Sequence, residues 1–167
     1  MPTDSAALAN RVEPPTVEVR DFSWSTTVAI VAWSMDETQY GLRTWLRRDG
    51  TYDLFHRLYV NTYYVPASRQ ISRADGMGRP LDLTGISRDP HYCFTWPTCS
   101  PFETFGALIP DALLRANRDS VTVTFRSRTG TEVPITVRRE LVDAYLAAVD
   151  SVTAALRGKS RASANRE

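Results

Sequence analysis

Between Gly41 and Val65 the chain sets arginines and large aromatics at alternate positions. Arg43, Trp45, Arg57, Tyr59 and Tyr63 share one parity with Arg47, Asp53 and Phe55. Arginine presents a planar fork of donors that suits carboxylates and phosphates, and it stacks on aromatic rings. Trp, Tyr and Arg are also the residue types enriched at binding hot spots. The chemistry such a face supports is recognition of a partner rather than bond making. The competing expectation is a second layer that covers the face. For Phe55 and Tyr59 cover is the expectation, whereas the charged heads of Arg43 and Arg57 should seek water or a partner. The segment from Pro66 to Pro80 adds Arg69, Arg73 and Arg79. The candidate binding set is therefore Arg43, Trp45, Arg57, Tyr63, Arg69, Arg73 and Arg79.

Other reactive residue types are sparse. Cys93 and Cys99 enclose five residues and could close a small disulfide loop in an oxidising compartment. Two separate buried thiols are the other reading, because Cys packs as a small hydrophobe. His56 and His91 with the two cysteines make a nominal zinc set, but the chain holds no C-x₂₋₄-C or H-x₃₋₅-H pair, so no metal site is expected. His56 instead has the parity of a core residue. Glu103, between Phe102 and Phe105, is the one carboxylate whose burial could raise its pKa. No nucleophile elbow, P-loop, Rossmann fingerprint or H-E-x-x-H is present, so neither an enzyme nor a cofactor is expected.

The alternation on both sides of Asp49-Gly50 predicts a β-hairpin. Leu42, Thr44, Leu46, Tyr52, Leu54, His56, Leu58 and Val60 form its core face. A two-residue turn would set Leu46 against Asp53. A three-residue loop, Arg48-Asp49-Gly50, pairs Arg47 with Thr51 and keeps the faces consistent, with Gly50 at a left-handed position. Upstream, Val17–Val19 and Phe22–Trp24 suggest a first strand. Thr27–Met35 reads as a strand buried on both faces. Pro66–Pro80 has little period and reads as a long loop. Leu81–Ile86, Tyr92–Trp96 and Phe102–Ile109 are candidate strands, and Pro110 opens a short helix over Asp111–Ala116. A second three-residue hairpin pairs Phe125 with Val133, Val123 with Ile135 and Val121 with Val137. From about Glu140, Leu141, Val142, Tyr145, Ala148, Val149, Val152 and Leu156 mark an apolar helical stripe, with Gly158 as its stop.

At 167 residues, with 43% hydrophobic and 23% charged residues, the chain suits one globular domain. Residues 1–15 read as a flexible arm, 16–157 as the domain and 158–167 as a polar tail. The fold class expected is α+β: an antiparallel sandwich or partly open barrel of about seven or eight strands, with the short helix and the C-terminal helix packed on it. A net charge of +1 argues against nucleic acid. No apolar run is long enough to span a bilayer, and Met1–Pro15 lacks the pattern of a signal peptide. Nineteen of the 20 basic residues are arginine, a bias spread over the whole chain that suits a GC-rich genome better than a site.

From Cys99 the chain reads Cys-Ser-Pro-Phe-Glu-Thr-Phe-Gly-Ala-Leu-Ile-Pro-Asp-Ala-Leu-Leu, followed by the Val121–Val137 hairpin and Leu141–Val149. This order resembles small extracytoplasmic bacterial β proteins, in particular the invasion-associated locus B family. The resemblance covers about the last third of the chain. It differs in the cysteine that this family tends to place shortly after the first, since Glu103–Gly106 has none. It implies a periplasmic or envelope-associated, non-enzymatic role. The function expected is thus a binding or assembly module for an acidic protein surface or a membrane-associated complex. A small-ligand domain with a pocket between the sheet and the 66–80 loop is the alternative. A hydrolase using Glu103 or His91 is a third.

Overall fold

The computed structural model describes residues 16–33, 38–63, 71–89 and 102–164. Nine strands are arranged as β1 (Thr16–Asp21), β2 (Ser25–Trp33), β3 (Gln39–Arg47), β4 (Phe55–Tyr63), β5 (Ile71–Gly76), β6 (Arg79–Asp89), β7 (Phe102–Pro110), β8 (Val121–Ser127) and β9 (Glu132–Val137). Two helices complete the order: α1 (Asp111–Ala116) between β7 and β8, and α2 (Arg139–Ala164) after β9. The sheet order is β1-β2-β3-β4-β7-β6-β5-β8-β9, antiparallel throughout. The sheet curls into a partly open barrel, and its inner face and α2 enclose the core.

The even-numbered residues of the first hairpin face inward, as their parity requires. Leu42, Leu46, His56, Leu58 and Val60 have no solvent exposure. Arg47 N–H donates to the Thr51 carbonyl and Gly50 N–H to the Arg47 carbonyl, which is the three-residue loop with Gly50 at φ +79°. Beyond it the register moves by two residues, so that Leu42 faces Leu58 and Arg43 faces Arg57. An even shift preserves the faces. The irregular stretch that absorbs it lifts Leu54 out of the core to 59% exposure at φ +58°, contrary to its parity.

The 66–80 segment is not a loop from Ile71 onward. β5 and β6 form a hairpin about Met77-Gly78, both with positive φ, as a type I′ turn requires. Ala74 and Gly76 fill its inward positions, and a register shift between Ile71 and Arg73 breaks the alternation. Small inward residues and a bulge left no hydrophobic period to read. This hairpin raises the strand count to nine among the described residues.

The second hairpin has the expected register, and Val121, Val123, Phe125, Ile135 and Val137 are buried. The stripe of α2 enters the same core through Leu141, Val142, Tyr145, Leu146 and Val149, although its nearest strands are β2, β3 and β1. α2 also runs through Gly158 to Ala164. A lone glycine costs a helix only about 1 kcal/mol, and the tip of the first hairpin packs against the turn before it, at Thr153 and Arg157. A Cβ on Gly50 would lie 2.8 Å from both Arg157 Cγ and the Thr153 carbonyl oxygen. No helix is long and apolar enough to cross a membrane among the described residues.

Candidate functional site

The odd-numbered residues of β3 and β4 point away from the core. Cross-strand pairing aligns them in rows over the outer face of the sheet. One row runs Glu18, Ala29, Arg43, Arg57, Leu108 and Asp82. A neighbouring row runs Val31, Gly41, Tyr59, Gly106 and Thr84. The next contains Gln39, Asn61 and Thr104.

Three sequence-predicted residues meet here. The Arg57 guanidinium lies 4.8 Å from the centre of the Trp45 ring, and that of Arg43 lies 4.9 Å from Tyr59 and 6.0 Å from Trp45. The side chains alternate ring and cation, which holds each guanidinium plane in place. Arg43 and Arg57 are direct cross-strand partners. Burial lowers the pKa of Arg57, and the charge of Arg43 acts in the same direction. The Nε atoms of both arginines are shielded from solvent and have no hydrogen-bond partner. Burial raises the pKa of the Tyr59 phenol, against the opposing charge of Arg43.

The face is neither fully open nor covered. Arg43, Trp45, Arg57 and Tyr59 are half-buried, and Phe55 is 45% exposed rather than core. A depression of about 350 Å³ is lined by Arg43, Arg57, Tyr59, Gln39, Asn61 and Thr104, with Glu18 and Thr84 at its sides. A bulge in β6 brings Gly85, at φ +62°, beside Arg57. A second, smaller depression reaches Phe22 and Trp45. Phe22, 53% exposed, adds apolar surface beside Trp45.

The other predicted residues are dispersed. Tyr63 ends β4 opposite Phe102. Arg69 lies outside the described residues, as do His91, Cys93, Cys99 and the Tyr92–Trp96 segment. Arg73 sits opposite Arg126 on β5, three places from β4 in the sheet, and Arg79 is exposed at the β5–β6 turn. The expected union of hairpin face and adjacent loop is therefore not formed by Arg73 and Arg79, because 71–80 is built into the far half of the sheet. The depression seen among the described residues lies on the sheet's own outer face, and residues 66–70 of the expected loop lie outside them.

Sequence reading missed Gln39, Asn61 and Thr104. The Asn61 amide donates to Gln39 Oε1 at 2.8 Å, and the Thr104 hydroxyl donates to Asn61 Oδ1 at 2.8 Å. Asn61 shares the parity of Tyr59, which was a usable signal. Thr104 comes from a strand some forty residues away, and only the β4–β7 pairing brings it in.

Two buried groups elsewhere have chemical potential. Glu103 is fully buried on the inner face, in register with Thr62 and Arg88. His56 is also fully buried. Its Nδ1 is 2.8 Å from Tyr145 Oη and its Nε2 is 2.8 Å from Asp111 Oδ1. Asp111 further accepts from Tyr52 at 2.9 Å and from Arg115, which also reaches Asp150. With both ring nitrogens hydrogen-bonded, His56 is a tie between β4, α1 and α2. No group of three His, Cys, Asp or Glu is placed to hold a metal among the described residues. Compared with known proteins, the chain matches no family model, no curated protein and no solved structure.

Proposed function

We propose that this protein is a non-catalytic binding module whose working surface is the outer arginine–aromatic face of β3 and β4, and that its partner is anionic. One observation carries the reading. Arg43 and Arg57 stand directly opposite each other and are stacked on Trp45 and Tyr59, yet none of the ion pairs among the described residues involves either. Like charges opposed in a sheet are destabilising. A protein that keeps them together, with their planes fixed by aromatic rings, holds two preorganised cationic forks for an anion. The envelope setting is a further part of the proposal. Its support is the likeness of the last third of the chain to the invasion-associated locus B family.

The test is capture with immobilised full-length protein. Membrane and soluble extracts are passed over wild type and over the Trp45→Ala/Arg57→Ala double variant, and bound proteins, lipids and small molecules are identified by mass spectrometry. An anionic component should be retained by wild type and weakened by more than about 1 kcal/mol per substitution. Recovery from the membrane fraction supports the envelope setting, and recovery from the soluble fraction alone sinks it. Identical recovery on wild type and variant removes this face as the working surface.

A further inference from the structure

We propose that the depression over Tyr59 is a receptor for a phosphate monoester carried on a small hydroxylated body. This deepens the reading above and rests on it. The argument for phosphate is charge. Opposed residues in an antiparallel pair have Cβ atoms about 4.5–5.5 Å apart, so the Arg43 and Arg57 heads share one neighbourhood. Glu18 lines the same depression, but its carboxylate is engaged by Arg20 at 2.9 Å. A carboxylate ligand would balance one arginine. A phosphate monoester, at about −1.5 to −2 near neutral pH, balances both. Its oxygens match guanidinium forks in bidentate fashion. With each guanidinium over a ring and its Nε shielded from solvent, the terminal N–H groups are the contact surface left to a ligand.

The argument for a hydroxylated body lies at the other end of the depression. Hydrogen bonding within the row fixes Gln39, Asn61 and Thr104 but does not exhaust them. The Gln39 amide N–H groups, the second Asn61 N–H and the Thr104 oxygen remain for a ligand. A fixed row of mixed donors and acceptors matches hydroxyl groups, which are both. Between the two ends the floor is the Tyr59 side chain and the glycine backbone beside it. A Cβ on Gly41 would fall 2.0 Å from the Ile30 carbonyl oxygen and 2.8 Å from Tyr59 Oη, and one on Gly106 would fall 2.4 Å from the Leu58 carbonyl oxygen. Side chains are thus excluded on both sides of Tyr59. From Arg57 to Asn61 is four residues of strand, about 13 Å. At about 350 Å³ the space is near the lower end of small-molecule sites, roughly 300–1,000 Å³. That is room for one monosaccharide-sized body, either free as a sugar phosphate or displayed as a lipid headgroup.

The test is titration calorimetry on the full chain with inorganic phosphate, glucose, glucose 6-phosphate, a polyglutamate peptide, and phosphatidylcholine vesicles with and without a phosphatidylinositol monophosphate. Glucose 6-phosphate or the phosphoinositide vesicles should bind about tenfold more tightly than inorganic phosphate, and glucose should not bind. Arg57→Lys, which keeps the charge and loses the planar fork, should weaken phosphate binding by about tenfold or more. Asn61→Ala should bring glucose 6-phosphate down to the level of inorganic phosphate and leave inorganic phosphate unchanged. Binding of only the soluble ester, or only the vesicles, supports the proposal and identifies the source. Failure of every phosphate probe overturns it. If polyglutamate then binds wild type and not Arg57→Lys, the broader anionic reading survives alone. If no anion binds, both fall.

Discussion

His56 illustrates how one residue can tie a fold together and expose it to pH. An ionised Asp111 can only accept, so Nε2 carries the proton toward it, and Nδ1 accepts from the Tyr145 hydroxyl. Burial lowers the His56 pKa below its ordinary 6.5, with Asp111 opposing. Protonation would turn Nδ1 into a second donor, so the Tyr145 hydroxyl would have to turn and accept where it now donates, and burial disfavours the new charge. The unfolded chain therefore takes up this proton before the folded one. Stability from His56 is complete above about pH 6.5 and is lost as pH falls below it, by up to about 1.4 kcal/mol per unit. Asp111 behaves separately. Burial pushes its pKa up, but hydrogen bonds from His56, Tyr52 and Arg115 outweigh it and hold it below 3.8, so its contribution fades only in stronger acid. Urea unfolding of wild type and His56→Gln between pH 8 and pH 5 checks this. Wild type should weaken across that range by more than the variant does, and equal slopes would refute the assignment.

At the scale of the element, the two three-residue hairpins form an internal control. Each loop ends in a glycine with positive φ: Gly50 at +79° and Gly130 at +89°. The same backbone bonds close both loops. They differ in surroundings. Gly50 is buried against Thr153 and Arg157 of α2, whereas a Cβ on Gly130 meets nothing within 4 Å. Alanine at either site incurs the left-handed strain, about 1–2 kcal/mol. Only alanine at Gly50 must also displace the backbone of α2. Gly50→Ala should therefore lower the thermal midpoint clearly more than Gly130→Ala, and equal losses would mean the hairpin tip does not rest on the helix. The contact ends at Arg157, and the helix runs on past Gly158 with its last residues exposed. A stop is a reasonable reading of a glycine before a polar tail, but a lone glycine costs only about 1 kcal/mol and does not end the helix here.

For the whole molecule, closure of the core depends on long-range pairs. Phe105 and Phe125 meet edge to face, with ring centres 4.7 Å apart, where the two halves of the sheet converge. α2 then fills the inner face, with Val149 fully buried. Replacing Val149 with Asp would bury a charge without a partner and should cost several kcal/mol. Thermal unfolding with a wild-type midpoint would show that α2 is not docked as described. The outer face needs none of this burial to exist, but it needs the sheet order. Arg43 and Arg57 come from one hairpin, Thr104 and Gly106 from β7, Thr84 and Gly85 from β6, and Glu18 from β1.

The sequence alone determined what is local. Strict alternation assigned Arg43, Trp45, Arg57 and Tyr59 to one face and His56 to the other. Turn chemistry at Gly50 and Gly130 set both loop lengths, and the 3.6 period of α2 marked its buried stripe. These features depend on neighbours a few residues apart. Tertiary structure decided the rest. The β5–β6 hairpin was hidden because alanine, glycine and a bulge occupy its inward positions. Leu54 left the core because the register slides by two. Phe55 is exposed because the second layer packs on the opposite face. The Gln39–Asn61–Thr104 row exists because β4 pairs with β7 across some forty intervening residues, and no pattern within either strand specifies its neighbour in the sheet.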